Sequence, residues 1–165
     1  MGFQLISSQP QYSMIWRVIE AEVIPACEEL GVSQIVWSPM AQGVLTGKYL
    51  PGQPVPQDSR AANDKVNSFI QKLLTDDVLT RVQQLKPIAE ELGITMAQFA
   101  LAWVLQNKNV SSAIVGATSP EQITSNIGAV GVEIPQEIMN KVTEILEPII
   151  ISDPNETQSP EKRLV

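Results

Sequence analysis

The run Gln34-Ile35-Val36-Trp37-Ser38-Pro39 constrains the fold more than any other stretch of the chain. Its apolar residues are continuous instead of alternating, which describes a strand covered on both faces, as in parallel α/β sheets. Beyond that strand, the segment VWSPMAQGVLTGKY (36–49) turns at Pro39 and passes two glycines, Gly43 and Gly47, before Lys48. Glycines let a backbone approach an anion closely, and a lysine supplies a point charge for phosphate. The segment reads either as an ordinary connection or as a phosphate-approaching loop. It is not a P-loop, because three residues instead of four separate the glycines and Tyr49 stands where Ser or Thr would hold magnesium. Pro51, Gly52, Pro54 and Pro56 also forbid the helix that should follow.

A β/α alternation extends on both sides. Residues 3–8 (FQLISS) read as a buried strand leading into Gln9-Pro10-Gln11-Tyr12, and its place so near Met1 implies a missing strand partner. From Met14 to Leu30, Ile15, Val18, Ile19, Val23, Ile24, Cys27 and Leu30 recur at helical spacing, with Pro25 as a kink or restart and Gly31 as the end. Residues 50–65 form a Pro-, Gln- and Asp-rich loop that contains Arg60, and helices are predicted over 66–74 and 76–92. Thr95 and Gln98 make a capping box at the start of a strongly apolar helix that should pack on a sheet. Residues 112–116 (SAIVG) read as the third strand. A helix to about Val130 follows, with Ser119 as N-cap, Pro120 first and Gln122 as partner in a second capping box. A last helix runs from near Pro135 to near Pro148, and 152–165 is a polar, poorly ordered tail.

Composition narrows the function. At 165 residues and 44% hydrophobic the chain can bury one globular core, and a net charge of −7 with no cluster of Lys and Arg argues against a nucleic-acid surface. No run approaches a membrane span, no leader pattern opens the chain, and the single Cys27 reads as a buried thiol; these features fit the cytoplasm. The absence of histidine removes Ser-His-Asp triads, imidazole bases and histidine-rich metal sites. Catalysis by this chain alone would rest on carboxylates, Lys48, a tyrosine or a bound cofactor.

Three strand ends should stand side by side: Gln9 to Tyr12, Trp37 to Lys48, and Gly116 to Asn126. Parallel α/β folds bind ligands at such carboxyl ends, and the helix starting at Pro120 adds free N–H groups that favour an anion. A lysine loop and a helix amino terminus facing one crevice suggest a nucleotide with more than one phosphate. Bland readings stand beside this one. Trp37 can be plain core, Thr118 and Ser119 can be simple capping residues, and Asn126 can be a solvated helix residue. The pairs Glu28-Glu29 and Glu90-Glu91 read best as solvated helix faces.

The strings SSQPQYSM, IVWSPMAQGVLTGKY and SSAIVGATSPEQITSNIGA, in this order and spacing, resemble the last three strand ends of an aldo-keto reductase. Within that family they resemble the branch of bacterial reductases and voltage-gated potassium channel β subunits. The resemblance implies the carboxyl-terminal part of a (β/α)8 TIM barrel over 1–148, about three strands with helices and incomplete as a barrel, and a flexible tail over 149–165. It implies NADP(H) as cofactor. Gln9 would hydrogen-bond the nicotinamide carboxamide and Trp37 would stack on the ring. Ser38, Pro39, Met40, Ala41 and Gln42 would wrap the pyrophosphate with Lys48 supplying charge, and Arg60 would lie near the adenosine. Gly116, Thr118 and Gln122 would surround the 2'-phosphate and Asn126 would contact adenine.

Departures qualify the resemblance. Ala117 and Gln122 stand where other branches place a lysine and an arginine beside the 2'-phosphate, and Ser125 replaces a frequent glutamate, so NADPH is expected without strong preference over NADH. The family's catalytic Asp, Tyr, Lys and His belong to earlier strands. No catalytic residue and no metal ligand is assigned here; Tyr12, Tyr49 and Lys48 lie in motifs with other roles. The expectation is the NADP(H)-binding half of a carbonyl reductase, inactive alone, which would meet a carbonyl substrate only with the missing amino-terminal half. The alternative is a non-catalytic binding or assembly module, whose open strand edges pair with another chain or a second copy. A truncated reading frame without activity of its own is the third reading.

Overall fold

The computed structural model describes residues 4–63 and 69–157. Three parallel strands, β1 (Ser7–Ser8), β2 (Ser33–Trp37) and β3 (Val110–Ile114), form one sheet in the order β1-β2-β3. Helices α1 (Val23–Leu30), α2 (Asp76–Gln84), α3 (Lys86–Glu91), α4 (Met96–Leu105), α5 (Pro120–Ile127) and α6 (Gln136–Leu146) connect and cover them. Parallel neighbours need crossover connections, and α1 and α4 supply them between successive strands.

The sheet is covered on one face. Gln34 and Val36 are fully buried, whereas Ser33, Ile35 and Trp37, on the opposite face of the same strand, are half-buried. Helix α4 closes the buried side; Phe99 through Val104 are all buried in it. The continuous apolar run therefore corresponds to one closed face and one only partly covered, where Phe69 meets Trp37.

Backbone chemistry explains where elements differ from their sequence pattern. The helix expected over 14–30 exists only as α1, because Pro25 can occupy a first turn but not an interior. Upstream, Arg17 N–H donates to the Ile151 carbonyl at 2.8 Å and Ile151 N–H to that of Ile15 at 2.8 Å, so 15–17 pair with the chain's far end. Residues 149–151, grouped with the tail by sequence, are thus docked, while 158–165 lie outside the described residues. The helix expected over 76–92 divides at Leu85, two residues before Pro87, which has no N–H to continue it. Of the helix expected over 66–74, 66–68 lie outside the described residues and 69–74 hold a turn and a 3-10 segment, Gln71–Leu73. The first strand is shorter than expected and not buried: Leu5 and Ile6 are 73% and 77% exposed.

Two helix starts follow their caps. Thr95 and Gln98 form the reciprocal capping box at α4. At α5, Ser119 is the N-cap and Pro120 the first residue, but Gln122 bonds Thr118 instead of Ser119.

Candidate functional site

The register brings the three strand ends to one edge. Ser7 pairs with Ser33, Ser8 with Gln34 and Gln11 with Trp37, a constant offset of 26 residues that carries β1's pairing past its last strand residue. The offset sets Gln9 opposite Ile35, hence on the face that carries Trp37. Trp37 is also paired with Ile114. Its ring meets Phe69 edge-on at 6.5 Å and 74°. Trp37 is thus neither plain core nor free; one side of it packs while the sheet face around it stays open.

Immediately after Trp37 the backbone enters an unusual path. Ser38, Ala41 and Gln42 have φ of 57°, 47° and 59°, left-handed values that cost non-glycine residues about 1–2 kcal/mol each. Such strain persists only where the surroundings impose it, and it gathers at functional sites. Here the surroundings are Ala41, Val44 and Leu45, all buried, and a ladder in which Ala41 N–H donates to Ser38 and Leu45 N–H to Met40. Pro39 is buried and Met40 half-buried against the core. The Gln42 amide donates to the Ser38 hydroxyl and its oxygen accepts from Arg60 Nη1 at 2.6 Å, which ties the 50–63 loop to this turn.

Lys48 lies over Gly43. A Cβ at Gly43 would come within 3.6 Å of Lys48 Cε and 3.7 Å of Nζ, and its φ of 98° independently favours glycine. Lys48 and Arg60 are exposed, and no ion pair among the described residues involves either. Two cations on one rim offer positive charge to a ligand.

The third strand end is built differently. Gly116, Thr118 and Gln122 are exposed, and no residue of α5 is buried. Thr118 N–H donates to Gln122 Oε1 at 2.9 Å and Gln122 Nε2 to Thr118 Oγ1 at 3.1 Å. In the first turn the Ser119 hydroxyl holds the exposed Glu121 carboxyl below the usual range. Asn126 is half-buried. Gly128 lets α5 approach α4, since a Cβ there would stand 2.5 Å from Gln98 Nε2, which donates to the Ser125 carbonyl.

Some supports were absent from the sequence reading. Gln83 Nε2 donates to the carbonyls of Gly47 at 2.9 Å and Tyr49 at 3.1 Å, fixing the loop's far end from α2. Gln83 stands next to Val82 and one turn after Leu79, a polar residue at the border of the apolar face, which is the signal that could have found it. Phe69 left no signal, because its partner Trp37 is 32 residues away. Behind the sheet, Tyr12 donates to Glu20 Oε1 at 2.7 Å and stacks near Trp103; burial, then the Glu20 charge, drives its pKa far above the ordinary phenol value. Among the described residues no group of three potential metal ligands comes together, and no single helix is long and apolar enough to cross a membrane.

Residues 2–147 match the sequence pattern of the aldo/keto reductase family. The chain is 45% identical over 155 residues to a probable voltage-gated potassium channel subunit beta of Arabidopsis thaliana, covering 93% of this chain and 46% of that protein. It is 38% identical over 128 residues to the L-glyceraldehyde 3-phosphate reductase of Escherichia coli K12, covering 76% and 36%. The chain spans about half or less of the length of these relatives. Among solved structures, a glycerol dehydrogenase from Gluconobacter oxydans superposes with a TM-score of 0.74 at 24% identity, over 99% of this chain and 47% of that one. That likeness fixes the fold: three parallel strands and their helices form an open part of a (β/α)8 barrel.

Proposed function

We propose, because the chain belongs to the aldo/keto reductase family, that its three strand ends hold NADP(H) and that it is the cofactor-binding part of a carbonyl reductase. The carrying observation is the strained turn after β2, which sets Ser38, Gln42, Arg60 and Lys48 on one rim beside Trp37. Those residues fit a dinucleotide phosphate: two cations with no ion pair among the described residues for the phosphates, amide and hydroxyl donors between them, and an indole on an open sheet face for a planar ring. Gln9 lies on the same face for a carboxamide. Thr118, Gln122 and Asn126 offer polar groups for the far end of the ligand. When bound, NADPH supplies the hydride. This chain's own residues bind and orient; the acid that protonates the carbonyl belongs to strands outside it, and a carbonyl substrate is met only with them.

The absence of a cation at Ala117 or Gln122, together with the Glu121 carboxylate in the same turn, supports weak discrimination between NADPH and NADH. A second reading, a non-catalytic assembly module, is favoured by the higher identity to proteins named potassium channel β subunits, 45% against 38% to the reductase. The cytoplasm remains our expectation for either.

One titration tests the reading. Nucleotide fluorescence should report saturable binding of NADPH and NADH within about tenfold of each other, and Trp37→Ala should weaken both at least tenfold. Carbonyl-dependent NADPH oxidation by the purified chain should be absent. Lack of any nucleotide binding would remove the cradle; turnover by the chain alone would overturn the placement of the acid elsewhere.

A further inference from the structure

We infer that a cleft between residues 12–20, the end of α4 and α6 is a binding site for a free apolar amino acid, which would set its carboxylate at Arg17 and its ammonium at Glu20. The inference does not rest on the cofactor reading. The cleft has a volume of about 360 Å3, a size suited to a small molecule, and Arg17, Glu20 and Trp103 line it. Arg17 is 7% exposed, and a guanidinium buried so deeply ordinarily faces an anion. Instead its Nε donates to the Met14 carbonyl at 2.9 Å and its Nη1 to the Thr143 hydroxyl at 2.9 Å, while its Cζ sits 4.6 Å over the Trp103 ring. Arg17 Nη2 is buried without a hydrogen-bond partner, and so is Nε1 of Trp103, itself 3% exposed.

Neighbouring acceptors are already engaged. Gln106 donates to the carbonyls of Ala102 and Val132 and accepts from Ile134 N–H, and Asn107 Oδ1 accepts from Asn109 N–H. Two orphaned donors on stacked side chains match the two oxygens of one carboxylate. Glu20 decides the class of ligand. Its carboxylate accepts from Tyr12 at 2.7 Å. Burial pushes the Arg17 pKa down and the Glu20 charge opposes that shift, yet no ion pair joins the two. A simple anion would be repelled by Glu20 and a simple cation by Arg17; a zwitterion meets both. Ile134 and Met139 line the same cleft and supply an apolar wall for the ligand's side chain. Because both orphaned donors are shut off from solvent, the ligand enters by displacing the unbranched side chains of exposed Gln136 and half-buried Met139.

The probe is L-leucine. Calorimetric titration of the full 165-residue chain without nucleotide should give saturable one-to-one binding. N-acetyl-L-leucine, which lacks the ammonium, and L-leucinamide, which lacks the carboxylate, should each bind at least tenfold more weakly. Glu20→Gln, at an exposed position, should keep the far-ultraviolet spectrum, weaken L-leucine at least tenfold and leave N-acetyl-L-leucine no weaker. Glu28→Gln, at an exposed acid on α1, should change neither. The indole N–H proton resonance of Trp103 should move downfield as L-leucine saturates. Absence of saturable L-leucine binding would overturn the inference, as would equal binding of the three compounds, equal effects of the two variants, or an indole resonance that stays in place at saturation. Nucleotide binding is read separately, so either proposal can fail while the other stands.

Discussion

The turn after β2 and the turn after β3 occupy equivalent places at one edge of the sheet, yet they are made in opposite ways. The first contains three left-handed non-glycine residues, with Ala41, Val44 and Leu45 buried beneath them and Gln83 fixing its far end. The second is exposed apart from half-buried Ser119, is closed on itself by the Thr118–Gln122 pair, and leads into a helix with no fully buried residue. Strain can be held only where packing over-determines it. The first wall is therefore set before any ligand arrives, and the second is free to adjust.

The largest consequence lies in stability. Leu45 is fully buried under the strained turn, so Leu45→Ala should cost about 2–5 kcal/mol, a transfer term plus a cavity. Ile127→Ala, 63% exposed on the second wall, should stay within about 0.5 kcal/mol. Urea midpoints at constant m compare the two. Equal losses would dissolve the contrast between the walls.

Much of this scaffold was written in local chemistry. The Thr95–Gln98 capping box, the Ser119-Pro120 start and the β2 strand depend on neighbours in sequence, and each forms where the residues indicate. Long-range effects were not legible. The periodicity of Ile15, Val18 and Ile19 is real burial, but Ile15 and Arg17 bond Ile151 through their backbones instead of continuing a helix. Continuous apolar character at Ile35 and Trp37 signals two faces to cover without saying which chain segment covers each. The left-handed turn was hidden because Ser38, Ala41 and Gln42 are not glycines, and what holds them there is the burial of Ala41, Val44 and Leu45 together with the hydrogen bonds of the turn. Gln122 stood at the capping-box position, yet it pairs with Thr118 through both its amide oxygen and its amide nitrogen, and Ser119 makes no side-chain cap hydrogen bond.

Gly43 tests the first wall more gently. With φ of 98° and Lys48 across it, Gly43→Ala should cost about 1–2 kcal/mol through backbone strain alone. The expected companion effect is weaker nucleotide binding, because Lys48 must move off the glycine. A neutral melting shift with unchanged affinity would show that this backbone is not imposed by its surroundings.

Alkaline pH probes the support behind the first wall, where Tyr12 N–H donates to the Trp37 carbonyl. Burial raises the Tyr12 pKa in the folded chain, so the folded state keeps a proton that the unfolded state releases above about pH 10. Its contribution is fully present below that pH and is lost as pH rises towards the folded value, by about 1.4 kcal/mol at pH 11. Wild type should lose stability more steeply than Tyr12→Phe between pH 9.5 and 11. Parallel curves would mean that the phenol titrates normally and the wall's backing is open to water.

A last pair of substitutions separates the walls as ligand contacts. Arg60 is charged and already held by Gln42 at 2.6 Å, so Arg60→Ala should weaken NADPH by about 1.5–3 kcal/mol, the range for hydrogen bonds to charged groups. Gln122 is neutral, exposed and satisfied by Thr118 before ligand arrives. Gln122→Ala should therefore change affinity by no more than about 1 kcal/mol and stability by less than about 0.5. Fluorescence titration of both variants at matched salt decides the order, because the arginine contribution is screened and the glutamine contribution is not. If Gln122→Ala proved the more damaging, the second wall would be the one that grips the nucleotide. The strain stored after Trp37 would then serve to orient the ring and not to hold the phosphates.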